Sequence, residues 1–292
     1  MGQSYHIIYV VALAGCVTMA PMDPMNKETD PRFVNNTLWE DTPKAKPTAV
    51  VLMLHGLNLK PGKMDDWAQL LSTHNALVMR FALHGHGGDS FDIREAEAQI
   101  WREQFNSALK KAHQRAQDLD VPLYFVGFSL GALVALEHQA QNNLYKINKM
   151  VLIAPAIATP WYSQAASTLL SVFSKKFSLP SRSPKNYRAN KSTSVAAYEA
   201  LFELKRSLEN NKFKNSNIPV LVIIDKYDEL VPSNNIKNII HKHALGNWQL
   251  QIVNNQFAKQ NYGFRHLMVD QESVGPELWR ELGEQVLGYF SL

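Results

Sequence analysis

A single cysteine, Cys16, among 292 residues excludes an internal disulfide framework and any cysteine-rich metal site. No apolar run reaches the about 18 residues that a membrane-spanning helix needs, and no self-similarity appears at the periods of solenoid or propeller repeats. Charge of one sign is scarcely in excess: 30 Lys and Arg against 26 Asp and Glu leave +4, too mild when averaged over the chain to argue for nucleic acid. What is present, 46% hydrophobic against 19% charged residues, suffices to bury a core and excludes a disordered polyelectrolyte. The length suits one globular domain.

The N-terminus stands apart from the rest. Met1–His6 is followed by an apolar run, Ile7–Ala14 (IIYVVALA), and then Gly15-Cys16. The run is too short to cross a bilayer but long enough for the apolar region of a secretion signal. Leu13-Ala14-Gly15-Cys16 resembles the lipobox of bacterial lipoproteins, which implies removal of residues 1–15, lipid attachment at Cys16 and, with Val17 next, sorting to the periplasmic side of the outer membrane. The chain departs from such signals in having no Lys or Arg before the run, only His6; a mis-assigned start or a buried strand with a free thiol is the alternative. Residues 16–47 include five prolines and no glycine, a composition that reads as an extended tether.

From Thr48 onward a regular rhythm sets in. Ala49–Leu54 (AVVLML), Ala76–Phe81, Leu123–Val126, Lys149–Ala154 and Val220–Asp225 are largely apolar runs of strand length, and Trp248–Val253 reads as a further strand. Between and after them, Met64–His74, Ile93–Leu119, Leu130–Gln141, Asn234–His243 and Pro276–Phe290 have helical spacing or length. The alternation predicts an α/β fold, a mostly parallel sheet with helices on both faces. Ligands on such sheets bind beyond the carboxyl ends of the strands, so chemistry is expected just after each strand.

Gly127-Phe128-Ser129-Leu130-Gly131 lies between a predicted strand and a predicted helix. In that context a G-x-S-x-G holds its serine in a strained turn with the hydroxyl projecting, and bulk two residues to either side would clash. The following helix aims its N-terminus at the serine and favours negative charge there. After the first long strand comes His55-Gly56-Leu57, a tight turn from which the Leu57 N–H can join that of Leu130 as an oxyanion hole, with His55 holding the loop.

Together these motifs resemble the α/β-hydrolase fold family, in particular its serine esterases, carboxylesterases and monoacylglycerol lipases, from about Thr48 to the C-terminus. The family orders its catalytic residues serine, acid, histidine. By that resemblance Ser129 is the nucleophile. Lys226-Tyr227-Asp228-Glu229-Leu230-Val231-Pro232 is similar to the acid loop and makes Asp228 the acid, with Asp225 a rival whose other role is to cap a strand end and Glu229 a solvated neighbour. Tyr262-Gly263-Phe264-Arg265-His266-Leu267 matches the histidine loop and makes His266 the general base. Leu83–Ser90 (LHGHGGDS) resembles the family's Pro-Gly-His-Gly-x-Ser loop with His84 in place of proline; its paired histidines lack carboxylate or cysteine partners and read as a structural turn, not a metal site.

Between Ala154 and Val220 the rhythm stops, where the family inserts a cap. Residues 155–217 carry ten Lys or Arg against three Glu, a charge of +7, which leaves the rest of the chain at −3. Ala165–Leu179 mixes Leu170 and Phe173 with Lys175 and Lys176, either an interfacial amphipathic lid or a helix packed on its own domain; Pro180–Lys191 reads as a flexible loop. The expected organisation is a signal over 1–15, a tether over 16–47, a hydrolase core over 48–154 and 218–292, and a cap over 155–217. The implied function is hydrolysis of a carboxylic, acyl-containing ester through an acyl-enzyme, without metal or organic cofactor. The membrane partnership expected is the lipidated Cys16 and the basic cap. A thioesterase, peptidase or acyltransferase would use the same residues, and an inactive hydrolase fold serving as a binding lipoprotein is the non-enzymatic alternative. A serine at the turn argues against the dehalogenase and epoxide hydrolase branches, which place Asp there.

Overall fold

The computed structural model describes residues 30–87, 93–141, 144–158, 177–181 and 183–292. Cys16, the segment 1–15 and the 165–176 part of the amphipathic stretch, with Lys175 and Lys176, lie outside the described residues.

The strands are β1 (Trp39–Asp41), β2 (Ala49–Leu54), β3 (Ala76–Arg80), β4 (Leu123–Phe128), β5 (Lys149–Ile153), β8 (Val220–Asp225) and β9 (Trp248–Val253), in the spatial order β1-β3-β2-β4-β5-β8-β9. All neighbours run parallel except β1, which pairs antiparallel with β3. The continuous apolar runs follow from burial on both faces. Val50, Leu52 and Leu54 enter one core cluster with Phe125, Val222 and Ile224, while Val51 and Met53 enter the other with Val126 and Ile223. The first core is covered by α2 (Ala98–Leu119), α3 (Leu130–Gln141) and α4 (Val195–Asn210), the second by α1 (Asp65–Thr73) and α8 (Pro276–Phe290). The α/β architecture expected from the alternation is therefore the one observed. The remaining helices, α5 (Ser233–Lys242), α6 (Gln256–Tyr262) and α7 (Gln271–Val274), lie in the C-terminal third. No helix among the described residues is long and apolar enough to cross a membrane.

β3 flanks β2 on one side and β4 on the other, so the strand order reverses between β2 and β4. That reversal opens a crevice at the carboxyl ends of these two strands. The loop after β2 and the turn after β4 both lie there.

Two expectations need correction. Residues 30–47, read as part of a tether, are fastened to the fold. A 3₁₀ turn (Pro31–Asn36) buries Phe33 fully, and β1 pairs Trp39 with Arg80 and Asp41 with Val78. Arg80, itself buried, donates to Asp41 (2.7 and 3.1 Å) and to Asp65, while Arg32 joins Asp30 and Asp65 (2.7 and 2.8 Å). Proline content signals poor helix and sheet propensity, but these charge-assisted bonds and one buried ring, worth roughly 1.5–3 kcal/mol alone, outweigh it. The described part of Pro180–Lys191 is likewise not a free loop: β6 (Ser178–Pro180) and β7 (Ser192–Ser194) pair as a hairpin, and Tyr187 between them is completely buried. Beyond it, Ser194 caps α4 by accepting from the Ala197 N–H (3.1 Å), and α4 buries Ala197, Ala200, Leu204 and Leu208 in the first core.

Candidate active site

β4 runs two residues past the predicted end, through Gly127 and Phe128, and delivers Ser129 at φ +48°, left-handed and strained for a side chain with a Cβ. The strain is held from both sides: Ser129 N–H donates to Ile153 O (2.9 Å) and Ser129 O accepts from Ala156 (3.1 Å) and Leu133 (3.2 Å). The flanking glycines are steric necessities. A Cβ on Gly131 would sit 2.5 Å from Leu54 O and 2.7 Å from His55 O, and one on Gly127 would sit 2.8 Å from the Ala132 nitrogen. Helix α3 must pass this close to β2 for its first turn to face the crevice.

Across the crevice, the loop after β2 is held by two neutral histidines. His55 Nε2 accepts the Leu83 N–H (3.0 Å), which leaves the ring proton on Nδ1 to donate to Gly56 O (2.8 Å). Leu59 N–H also donates to Gly56 O (3.3 Å). Gly56 C=O and Leu57 N–H lie on opposite edges of one trans peptide, so two donors on the carbonyl direct the Leu57 N–H the other way. Among the described residues neither the Leu57 nor the Leu130 amide finds an acceptor, as amides awaiting a developing oxyanion require. Burial depresses the His55 pKa to about 4, and burial together with the neighbouring His55 pushes His86 well down. Both rings therefore stay neutral acceptors at pH 7. The LHGHGGDS expectation holds for its described part: residues 84–86 form a turn, and His86 Nε2 is occupied by a backbone N–H, that of Asn58 (2.8 Å).

The third group arrives from the other side of the sheet. After β8, Asp228 Oδ1 accepts the Leu230 and Val231 N–H groups (2.8 Å each), turning Oδ2 toward His266 Nδ1 at 2.8 Å. A carboxylate only accepts, so Nδ1 carries the proton and Nε2 is the lone-pair nitrogen. That nitrogen lies 3.0 Å from Ser129 Oγ, with Phe128 and Phe264 packed by the ring (5.1 and 5.9 Å between centroids). Ser129, Asp228 and His266 are each less than a tenth exposed. The structure thus brings together the three side chains the sequence singled out, from positions as far as 137 residues apart.

Asp225 does not compete. Its carboxylate accepts the Tyr227 N–H (2.6 Å) and the Asn255 N–H and faces Arg265 (3.4 Å), tying off the end of β8. Glu229, expected merely to be solvated, is exposed but also accepts the main-chain N–H groups of Arg265 (2.9 and 3.1 Å) and His266 (3.1 Å). It clamps the histidine loop to the acid loop. Sequence reasoning missed this because the partners are backbone atoms 36 and 37 residues away, which leave no residue-type signal.

The family described as "Serine aminopeptidase, S33" matches residues 45–257. Monoglyceride lipase of Mus musculus is 28% identical over 145 residues, 47% of this chain and 45% of that protein, so the match spans less than half of that relative. Among solved structures, a soluble variant of monoglyceride lipase from Saccharomyces cerevisiae in complex with a substrate analog superposes with a TM-score of 0.70 at 14% identity, over 86% of this chain and 91% of that one. A monoacylglycerol lipase from Paleococcus ferrophilus gives 0.64 at 16% identity, over 87% and 99%. At such identities these likenesses speak to the fold.

Proposed function

The chain belongs to the serine aminopeptidase S33 family of hydrolases, and from that premise we propose that it is a serine hydrolase of carboxylic esters with an acyl chain. The observation that carries the reading is the continuous relay Asp228 Oδ2–His266 Nδ1 (2.8 Å) and His266 Nε2–Ser129 Oγ (3.0 Å), ending on a serine in a strained turn. In the proposed cycle Ser129 Oγ attacks the ester carbonyl as His266 Nε2 takes its proton, and Asp228 stabilises the imidazolium. The oxyanion accepts from the Leu57 and Leu130 amides. Collapse returns the proton to the leaving alkoxide, and water, deprotonated by His266, then releases the acid and regenerates Ser129. The cycle needs no cofactor. The lipid-like ester is favoured over other acyl derivatives by the likeness to monoglyceride lipase, whereas membership of a serine aminopeptidase family points to an amide.

Ser129→Ala is expected to lower ester turnover by on the order of 10⁵-fold in a folded protein; undiminished turnover would refute the reading. Esters of increasing chain length assayed beside amino-acid arylamides separate the two substrate classes, and faster arylamide cleavage would make the protein a peptidase. We further propose that Cys16 is lipidated and tethers the enzyme at the envelope, with the basic stretch around Lys175 and Lys176 facing lipid. Wild-type chain made in a Gram-negative host should then incorporate labelled palmitate and Cys16→Ala should not; unlabelled, uncleaved wild type would contradict it.

A further inference from the structure

The polar group buried closest in sequence to the oxyanion turn has no part in the cycle above. Asn58 is 3% exposed, adopts φ +52°, and spends every hydrogen-bonding group on protein. Its N–H donates to His86 Nε2 (2.8 Å) and its carbonyl accepts from Ala189 N–H (3.0 Å). Its side-chain Oδ1 accepts the Asn190 N–H (2.7 Å), while Nδ2 donates to Asn190 O (3.0 Å) and Thr193 Oγ1 (3.0 Å). The carboxamide therefore grips the main chain of Asn190 as a neighbouring strand would. Lys60 N–H to Tyr187 O (2.8 Å) and a bridge between Leu59 and Arg188 continue the pairing, and the Asn190 side chain reaches on to Gly85 O (2.9 Å). Three segments distant in sequence, the turn after β2, the turn after β3 and the limb between β6 and β7, close around one side chain.

Resting on the hydrolase reading, we infer that Asn58 is a positioning residue: by fastening the turn after β2 to residues 189–193, it holds the Leu57 amide aimed at the oxyanion. The physical argument concerns the two peptides that flank Leu57. The one before it is fixed through Gly56 O, held by His55 and Leu59; the one after it is fixed through Asn58 N–H, held by His86. Neither bond stops the turn from sliding as a unit across the crevice, because all of those partners lie in or beside the turn or on the β3 loop. The three bonds of the Asn58 carboxamide, to Asn190 and to Thr193 in β7, add side-chain ties to the main-chain bonds Ala189 N–H to Asn58 O and Lys60 N–H to Tyr187 O, and together these fasten the turn to the limb between β6 and β7. That limb is anchored independently, through Tyr187 OH to Asp270 (2.9 Å) on the segment that follows His266. The residue type fits twice, since asparagine tolerates a left-handed φ better than other side chains and supplies both a donor and an acceptor to a buried peptide. Leu57 N–H touches charge that exists only after attack, so its misalignment should act on the transition state and leave ground-state binding alone.

The discriminating variant is Asn58→Gly, which accepts the left-handed backbone and deletes the carboxamide together with its methylene. With the full chain and a short soluble p-nitrophenyl ester, kcat per titrated active site should fall about 10- to 100-fold, less than the loss expected for removing an oxyanion donor outright, while KM changes by less than about twofold. The affinity of a boronic acid, which mimics the tetrahedral adduct, should fall by the same factor as kcat/KM. Thr193→Val, which removes one of the three partners, should give a loss of a few-fold that adds nothing in the Asn58→Gly background. A folded Asn58→Gly enzyme with wild-type kcat overturns the inference, as does a loss confined to the fraction of titratable sites with normal turnover in the remainder. Should Asn58→Gly fail to fold, Thr193→Val with unchanged melting temperature and unchanged kcat overturns it alone. Failure of the hydrolase reading is separately visible, as wild-type enzyme that neither turns over esters nor labels at Ser129.

Discussion

The two halves of the site are held together by different physics. The serine half, at the ends of β2 and β4, is built from steric necessity: a residue at φ +48°, glycines at which an added Cβ would lie 2.5–2.8 Å from backbone atoms, and imidazoles that serve as neutral acceptors for main-chain N–H groups. The histidine half, after β8 and β9, is built from carboxylates. Asp225, Asp228, Glu229 and Asp270 each accept main-chain N–H groups and so shape loops that have no steric reason to adopt one conformation. The first design tolerates no added volume. The second depends on keeping its acceptors. The proposed nucleophile and oxyanion donors thus sit at the ends of core strands, and the proposed base sits on loops whose geometry is written in side-chain hydrogen bonds.

Among substitutions that leave Ser129 in place, the largest effect should fall on the carboxylate half. Asp228→Asn keeps the size of the side chain but presents a donor or a weaker acceptor to His266, favouring the wrong tautomer, and kcat should drop about 10⁴-fold. Asp225→Asn, measured in parallel, should retain most activity because it shapes β8 and not the base; a reversed ranking would break the contrast at its centre. On the steric half, Gly131→Ala should cost roughly 3 kcal/mol or more of stability, since the new methyl meets backbone atoms at 2.5–2.8 Å that cannot move without shifting β2. Chemical denaturation gives that number directly, and a loss below about 1 kcal/mol would show that α3 can retreat.

How much of this was legible depends on how local its cause is. Strands β2 and β8 and helices α3 and α8 begin and end where apolar runs and helical spacing place them, because burial on both sheet faces imprints the sequence itself, and the half-buried edge strand β9 also has its expected bounds. The residues that converge on the crevice were likewise visible, through motifs that encode a strained turn and a fixed chain order. What escaped has its cause elsewhere in the chain. β1 is three polar or half-polar residues whose pairing depends on Arg80, 39 residues beyond Asp41. The limb between β6 and β7 is rich in Ser, Pro, Asn and Lys, and its order comes from Asn58, 132 residues away, and from Asp270, 83 residues away. Short α6 is the exception, since its marks are local: the Asn255 side chain accepts the Ala258 N–H (2.9 Å) and Gly263 closes the helix at φ +63°.

The last effect in the series is a pH dependence of stability that belongs to the serine half. His55 has its pKa lowered from 6.5 to about 4 by burial, so between those values the unfolded chain binds more protons than the folded one. Stability is therefore complete above pH 6.5 and declines as pH falls through that window, by up to about 3 kcal/mol from this residue. Melting curves between pH 7.5 and 4.5 should show the decline in wild type and a shallower slope in His55→Asn; identical slopes would mean that His55 does not titrate with folding.

The central claim is that Ser129 is activated by His266 across the crevice. Incubating the full-length protein with a fluorophosphonate and locating the adduct by peptide mass spectrometry tests it most directly. One phosphonyl group is expected, on Ser129, formed rapidly in wild type and slower by about 10³-fold or more in His266→Ala. An adduct on another residue, or labelling of Ser129 at an undiminished rate without His266, would contradict it.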